Sequence, residues 1–266
     1  MSRLPAALTG LALACAPALH THPGATAPTS GPVAEPTRSA EELLADARAR
    51  FGRRSEPGQA RAAEALFRQA AQADPTDPAA PYGAIQALIW RIDHDPGVDR
   101  GALASDAVGL GLGCLERAPA QPSCDYGLAL ALGVQARERR STAVDGLKKM
   151  VQHLRRAAEA EPGLDASGPD RVLATVLVRA PGWPLGPGDP EGGLERARLA
   201  AQRAPDFPPN QLALAEALLA TGATAAGQET ARRAVALARA HPEEPEAPAW
   251  IAEGERLLMR PASPGA

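Results

Sequence analysis

The chain has 266 residues and a formal net charge of −3, because 28 basic residues are nearly balanced by 31 acidic ones. This balance gives no electrostatic case for binding to nucleic acid or to an anionic membrane surface. Aromatic residues make up only 3% of the chain, so the core has to be built from Ala, Leu and Val. Such a core favours closely packed helices over a β-sandwich.

The amino-terminal segment, residues 1–15, resembles a bacterial lipoprotein signal. Arg3 precedes a short apolar run, and small residues lead to Cys15. The run is about half the length needed to span a bilayer. The resemblance implies cleavage after Ala14, acylation of Cys15 and a lipid-anchored protein of the cell envelope, on the periplasmic face of the outer membrane. The alternative is an ordinary secreted start with an incidental cysteine, and under both interpretations the mature chain leaves the cytoplasm.

The next segment, residues 16–38, contains almost no large apolar residues. Prolines recur in it among Thr, Ser, Gly and Ala: Pro17, Pro23, Pro28, Pro32 and Pro36. This composition predicts a disordered, partly extended tether. Residues 261–266 are predicted to be a disordered tail, which leaves 39–260 as the folded domain.

Helical patterns fill the domain. It begins with a predicted capping box at Ser39-Ala40-Glu41-Glu42. Short breaks rich in Pro, Gly and Asp then separate eleven predicted helices: 39–52, 58–73, 79–93, 100–117, 123–138, 142–160, 169–179, 190–203, 209–221, 224–240 and 246–259.

These helical patterns repeat along the chain. A series of prolines recurs at intervals of 44, 43, 43 and 37 residues: Pro75, Pro119, Pro162, Pro205 and Pro242. A second proline follows three residues after four of them, at Pro78, Pro122, Pro208 and Pro245. The first proline of each pair ends a helix and the second can open the next one. The pattern predicts an all-α, helical-repeat solenoid of about five helix-turn-helix units. The alternative is chance alignment in a proline-rich chain.

One unit resembles a known repeat. Ala63, Phe67, Ala70 and Pro75 have the spacing of the second-helix signature of tetratricopeptide repeats. The resemblance implies a tetratricopeptide-like solenoid. Its period here exceeds the usual 34 residues, so we expect longer helices or expanded turns.

Residues 120–222 also resemble the T component of TRAP transporters. Four segments carry this resemblance: Asp125-Tyr126 with Gln135-Ala136-Arg137-Glu138, Gly168-Pro169-Asp170-Arg171-Val172-Leu173, Ala180-Pro181-Gly182-Trp183-Pro184 with Gly188-Asp189-Pro190, and Ala204-Pro205-Asp206-Phe207-Pro208-Pro209-Asn210-Gln211-Leu212. It implies an α-helical array with an internal cavity, a lipid anchor and a partner among periplasmic solute-binding proteins.

The candidate cavity or partner contacts lie in that stretch: Tyr126, Arg137, Arg171 and Trp183. Arg137 is predicted either to face a cavity or to be a solvated helix end. Trp183 lies in a Pro/Gly segment that cannot be helical, and is predicted either to form a cavity wall or partner contact or to cap the core beneath the loop.

Two cysteines flank Pro119. Cys114 and Cys124 lie on helices that should run antiparallel around that turn, and outside the cytoplasm such a pair can oxidise. We predict a possible disulfide between them. The alternative is two small buried thiols at helix contacts.

No motif for catalysis, metal binding or a cofactor occurs in the sequence. It has no His-Glu-x-x-His, no phosphate-binding Gly-rich loop followed by Lys, and no Gly-x-Ser-x-Gly. We therefore expect a non-enzymatic, lipid-anchored binding or scaffold protein that holds a protein partner or a small hydrophobic solute. The alternatives are an accessory to TRAP-type solute uptake and an envelope-assembly factor.

Overall fold

A computed structural model describes residues 38–139 and 143–260. Within these residues the chain forms eleven α-helices, at the positions predicted: α1 Ala40–Gly52, α2 Gln59–Ala73, α3 Ala79–His94, α4 Arg100–Arg117, α5 Pro122–Glu138, α6 Ala143–Ala160, α7 Leu164–Arg179, α8 Pro190–Arg203, α9 Pro208–Ala220, α10 Thr224–Ala240 and α11 Ala247–Leu258. The predicted signal, Cys15, the tail and all of the tether except Arg38 lie outside the described residues.

Local chemistry explains where many helices begin. The Ser39 side chain accepts a hydrogen bond from the Glu42 backbone, and the Glu42 carboxylate accepts one from Ser39 N. Asp99 and Asp189 cap α4 and α8 in a related way. Proline occupies the first or second position of four helices, where the missing N–H costs no intrahelical bond: α5, α8, α9 and α11.

The helices pack as a curved double layer. Every helix contacts the next one in sequence, and each odd-numbered helix also contacts the next odd-numbered helix. In the described part of the chain, even-numbered helices contact only helices of the other layer. The odd-numbered helices are therefore closer to one another than the even-numbered helices are. In a curved double layer the more closely spaced layer lies on the inner side, so the odd-numbered helices form that side. This is a solenoid of five helix pairs completed by α11, as predicted.

Small residues allow the two layers to approach closely. Ala63, Phe67 and Ala70 of α2 are buried, as are Leu154 and Ala157 at the matching positions of α6. Leu154 and Ala157 precede Pro162 by eight and five residues, the same distances at which Phe67 and Ala70 precede Pro75. Because the helix backbones approach closely, little space remains between them, and alanine side chains are large enough to fill most of it.

The chain leaves regular helix geometry at both ends of α7. Near its start, Asp165, Ala166 and Ser167 have φ values of +50°, +50° and +66°. The regular part of α7 thus begins close to residue 169, as predicted. We call residues 165–167 the left-handed turn.

The segment after α7 is irregular, again as predicted. We call residues 180–189 the α7–α8 loop. Backbone hydrogen bonds brace it, from Gly188 N to Pro181 O and from Asp189 N to Leu177 O, both at 2.8 Å. Trp183 and Pro184 are joined by a cis peptide bond.

Cys114 and Cys124 are joined as a disulfide across the turn between α4 and α5. Their Cα atoms are 5.4 Å apart, and both residues are buried. No helix of the described residues is long and apolar enough to span a bilayer.

Candidate ligand cavity

A cavity of about 500 Å³ opens on the inner side of the solenoid. All six odd-numbered helices or their flanking turns contribute to it. Its lining residues are Phe51, Arg54, Gln86, Ile89, Trp90, Asp93, His94, Leu130, Asp165, Arg171, Phe207, Pro209, Glu244, Glu246 and Trp250. We call it the aromatic cavity.

Aromatic side chains concentrate in this cavity. The chain has three Trp, two Tyr and three Phe residues, and four of these eight line the cavity: Phe51, Trp90, Phe207 and Trp250. The last two pack edge to face, with ring centroids 5.8 Å apart. In a chain so poor in aromatic residues, this clustering makes the cavity the candidate binding site, because aromatic side chains give the largest contact area per residue.

The contribution of α3 follows from helix geometry. Gln86, Ile89, Trp90, Asp93 and His94 are spaced three, four, seven and eight residues from the first, so they form one stripe along the helix. His94 stacks on Trp90, with ring centroids 3.7 Å apart. The opposite face of α3 packs into the core.

An ion pair closes one side of the aromatic cavity. Arg54, which follows α1, donates from Nε to Oε1 of Glu246 at 3.0 Å and from Nη2 to Oε2 at 2.5 Å. Its guanidinium also lies 5.1 Å from the ring centroids of Phe51 and Trp90. We call the Arg54–Glu246 pair the clasp, because it joins the first helix pair to the start of the last helix.

A second, more apolar cavity of about 410 Å³ lies beside the first. Its walls come mainly from aliphatic residues of α6, α7 and α9: Leu147, Met150, Val172, Val176, Pro209, Leu212 and Ala213. Arg171 lines both cavities and lies between them. Arg179 lies at the other end, where it binds Glu216 and Glu253.

Several hydrogen bonds fix Arg171 in place. Its Nη1 donates to Asn210 Oδ1 at 3.1 Å, and its Nη2 donates to Asp165 Oδ2 at 2.9 Å. The guanidinium lies 5.0 Å from the ring centroid of Phe207. Arg171 is therefore a rigid, charged partition between an aromatic and an apolar compartment.

The left-handed turn supplies Asp165 to this network. Each non-Gly residue in the left-handed region costs roughly 1–2 kcal/mol, and tertiary contacts offset that cost. Asn210 Nδ2 donates to Ala166 O at 2.9 Å, and Ser167 Oγ donates to Pro162 O at 2.9 Å. Strain held in this way by surrounding structure is typical of functional sites.

Tyr126 lies directly behind the turn. Its hydroxyl donates to Asp165 Oδ2 at 2.8 Å, and burial raises the pKa of the hydroxyl well above its ordinary value of 10.0. The phenol therefore stays protonated and donates. A Cβ at Gly168 would collide with this hydroxyl, which explains the glycine.

The structure brings two of the four predicted contacts together. Tyr126 and Arg171 meet at Asp165, although only Arg171 lines the cavity itself. Arg137 is 47% exposed and donates to Asp93 at 2.6 Å and to Glu138 at 2.9 Å. It thus lies at a solvated helix end, as one alternative predicted. The other alternative is wrong, because Arg137 lines neither cavity, although its partner Asp93 lines the aromatic cavity.

The prediction that Trp183 forms a cavity wall needs correction. Its side chain is 91% exposed at the tip of the α7–α8 loop, and it does not line the two cavities described above. The alternative, a cap over the core, is also wrong for the same reason. The braced loop holds the indole away from the domain, and a role as a partner contact remains a prediction.

Sequence reasoning missed Asn210 and most of the cavity wall. Asn210 is completely buried, and its Nδ2 lies within 3.2 Å of carbonyl oxygens of Ala166, Ala200 and Ala204. A signal existed, since Asn210 lies within the segment Pro208-Pro209-Asn210-Gln211 quoted above. No comparable signal marks Trp90 or Trp250.

The described residues contain no group of three or more His, Cys, Asp or Glu side chains placed to hold a metal ion. The cavity offers aromatic faces, aliphatic walls and paired charges. These groups suit the binding of a partly apolar molecule or peptide segment.

Comparison with solved structures shows the fold. The chain is similar to TTC0263, a thermophilic TPR protein in Thermus thermophilus, with a TM-score of 0.58 over 84% of this chain and 100% of that chain. The fold is that of a tetratricopeptide-repeat protein. Sequence identity to this TPR protein is only 20%, so the similarity concerns the fold alone.

Two structures of MamA align less well with this TPR-like chain. Each has a TM-score of 0.45 and 14% identity, over 77% and 73% of this chain and 97% and 98% of theirs. No protein-family model and no curated protein matches the sequence.

Proposed function

We propose that this protein is a lipid-anchored, extracytoplasmic, non-enzymatic binding protein that holds a peptide segment of a protein partner or a small solute in the aromatic cavity. The observation that carries the proposal is the gathering of four of the eight aromatic residues on the inner side of a TPR-like solenoid. Stacked helical repeats commonly use that concave side to bind protein partners.

The charges support recognition of a polar group inside an apolar setting. Arg54 and Arg171 are both held in bidentate or multiple hydrogen bonds and are largely screened from solvent. Such preorganised groups lose little conformational entropy when a ligand binds. The adjoining apolar cavity would accept an aliphatic part of the same ligand.

Photo-crosslinking in intact cells tests this proposal. A benzophenone amino acid replaces Ile89, which lines the aromatic cavity, and in a control replaces Glu229, which is exposed on the outer layer. We expect a distinct adduct from position 89 that position 229 does not give. No adduct, or the same adducts from both positions, would contradict a cavity-based function.

The anchor is tested separately. Replacing Cys15 by Ser should release the protein from membranes, and the intact mass of the mature chain should lack the acyl groups. A Cys15→Ser protein that is still acylated and membrane-bound would show that the anchor has been assigned wrongly.

A second candidate is an accessory role in TRAP-type solute uptake. The segments that resemble the T component converge on one cluster, Tyr126, Arg171, Phe207 and Asn210, although they are far apart in sequence. An adduct that contains a periplasmic solute-binding protein would favour this role. An adduct with an outer-membrane protein would instead favour a role in envelope assembly.

A further inference from the structure

The tip of the α7–α8 loop exposes large apolar side chains. Trp183 is 91% exposed and Leu185 is 70% exposed. The nine residues 180–188 carry no charged side chain, whereas charged residues make up 22% of the whole chain. An uncharged tip that exposes an indole and a leucine side chain close together is a candidate contact surface.

The loop is built to present these side chains rigidly. Three prolines within the loop, at 181, 184 and 187, restrict its backbone, and Pro190 follows directly at the start of α8. Hydrogen bonds from Leu185 N and Gly186 N to Gly182 O, at 3.0 and 3.2 Å, close the tip, while the bonds of Gly188 and Asp189 fix the base. Little conformational entropy is therefore lost when the tip inserts into another phase.

Other exposed apolar residues lie at the same edge of the solenoid. Consecutive helices alternate in direction, so the ends of odd-numbered helices and the starts of even-numbered helices share one edge. Val144, at the start of α6, is 49% exposed, and Met259, just after α11, is 83% exposed. The ends of α7 and α11 are linked through one carboxylate, because Arg179 and Arg260 both lie within 4.0 Å of Glu216.

We propose that the tip formed by Trp183 and Leu185 inserts into the headgroup region of the membrane to which the chain is anchored. An indole combines an apolar body with a polar N–H, and Trp is enriched at membrane interfaces for this reason. The proposed lipid anchor holds the domain beside a bilayer, which favours the bilayer over a protein partner. The nearest charged residues, Arg179 and Asp189, flank the uncharged stretch and do not interrupt it. This proposal rests on one part of the proposed function, the lipid anchor, and does not depend on ligand binding in the aromatic cavity.

The geometry permits both attachments at once. A chain of the length of residues 16–38 spans roughly 70 Å when extended, at about 3.1 Å per residue. A helix of the length of α7 spans only about 24 Å. The tip can therefore reach the bilayer although the amino-terminal end of α1 lies at the opposite edge. Because the anchor raises the local concentration, a weak insertion is sufficient.

Fluorescence quenching by brominated lipid tests the proposal. The protein is produced with its own amino-terminal segment, extracted from membranes and reconstituted into phosphatidylcholine vesicles, with or without acyl chains brominated near the headgroup. We expect bromine to quench part of the Trp emission, and Trp183→Phe to abolish this quenching. Trp250→Phe is the matched control and should keep it, since Trp250 lies in the aromatic cavity.

Equal quenching of the wild type and of Trp183→Phe, or no quenching of either, would overturn the proposal. Whether the chain carries a lipid anchor is determined separately, by membrane fractionation and by the mass of the mature chain. If the anchor is absent, the soluble full-length protein is titrated with the same vesicles at millimolar lipid. In that case too, absence of Trp183-dependent quenching would overturn the insertion.

Discussion

The two ends of α7 use irregular backbone for opposite purposes. At the amino-terminal end, the left-handed turn is surrounded by partners from α5 and α9, and its polar groups are engaged. At the carboxy-terminal end, backbone hydrogen bonds within the α7–α8 loop and to Leu177 of α7 brace the loop, and Trp183 is left exposed. In the left-handed turn, contacts with neighbouring helices stabilise a strained backbone. In the α7–α8 loop, where such contacts are absent at the tip, the irregular backbone exposes side chains to solvent. Substitutions at the two ends should therefore have very different effects on stability.

The largest effect is expected from Asn210→Ala. This change removes the side-chain donor to three carbonyl oxygens and the acceptor for Arg171, and buried groups left unpaired cost about 1–3 kcal/mol each. We expect the free energy of unfolding, measured by urea titration, to fall by about 3 kcal/mol or more. Gln211→Ala is the control, because Gln211 makes one hydrogen bond, to Pro205 O, and should cost about 1 kcal/mol. Equal losses would mean that Asn210 does not hold the turn.

Tyr126→Phe should have the next largest effect. The change keeps the ring and removes a hydrogen bond to a carboxylate, a type worth about 1.5–3 kcal/mol. Tyr82→Phe is the matched control, since the Tyr82 hydroxyl accepts a bond from the neutral Gln86 amide at 3.1 Å. We expect calorimetry to show the larger drop in melting temperature for Tyr126→Phe, and the reverse order would contradict the role assigned to Asp165.

Ala166→Gly should change stability in the opposite direction. Glycine adopts positive φ without a steric penalty, so relief of strain should raise the free energy of unfolding by about 1 kcal/mol. Ala236→Gly, at an exposed position inside α10, should lower it by about 1 kcal/mol. If both variants were destabilised alike in chemical denaturation, residue 166 would not be strained.

The smallest effect on stability is expected from the double change Trp183→Ser and Leu185→Ser. Substitutions of exposed side chains usually change stability by less than about 0.5 kcal/mol. Urea unfolding of this variant should match the wild type while its contact with brominated vesicles is lost. A clear loss of stability would mean that the tip packs on the domain.

Sequence periodicity was sufficient for the eleven helices, because paired prolines and caps act locally. The left-handed turn could not be predicted, since Leu164-Asp165-Ala166-Ser167 contains no glycine, and the residues that hold it come from α5 and α9. The residues that contact the turn, Tyr126, Arg171 and Asn210, do lie in the segments that resemble the T component.

The aromatic cavity was predictable only in part. Trp90 and Trp250 are 160 residues apart in the chain and become neighbours of one cavity only through the curvature of the solenoid. Arg171 was identified because it lies in a recognisable segment. Trp183 was wrongly expected at the cavity or core, because composition reveals an irregular loop but not the direction of its side chains.

The clasp changes how this repeat protein should respond to heat. In an open array each repeat is coupled only to its neighbours, so the ends fray first and unfolding proceeds inward. The Arg54–Glu246 ion pair joins residues 192 positions apart. It therefore adds a direct interaction between the two ends of the array. Fraying at one terminus then breaks this partly exposed ion pair and weakens the other terminus by about 1 kcal/mol or less.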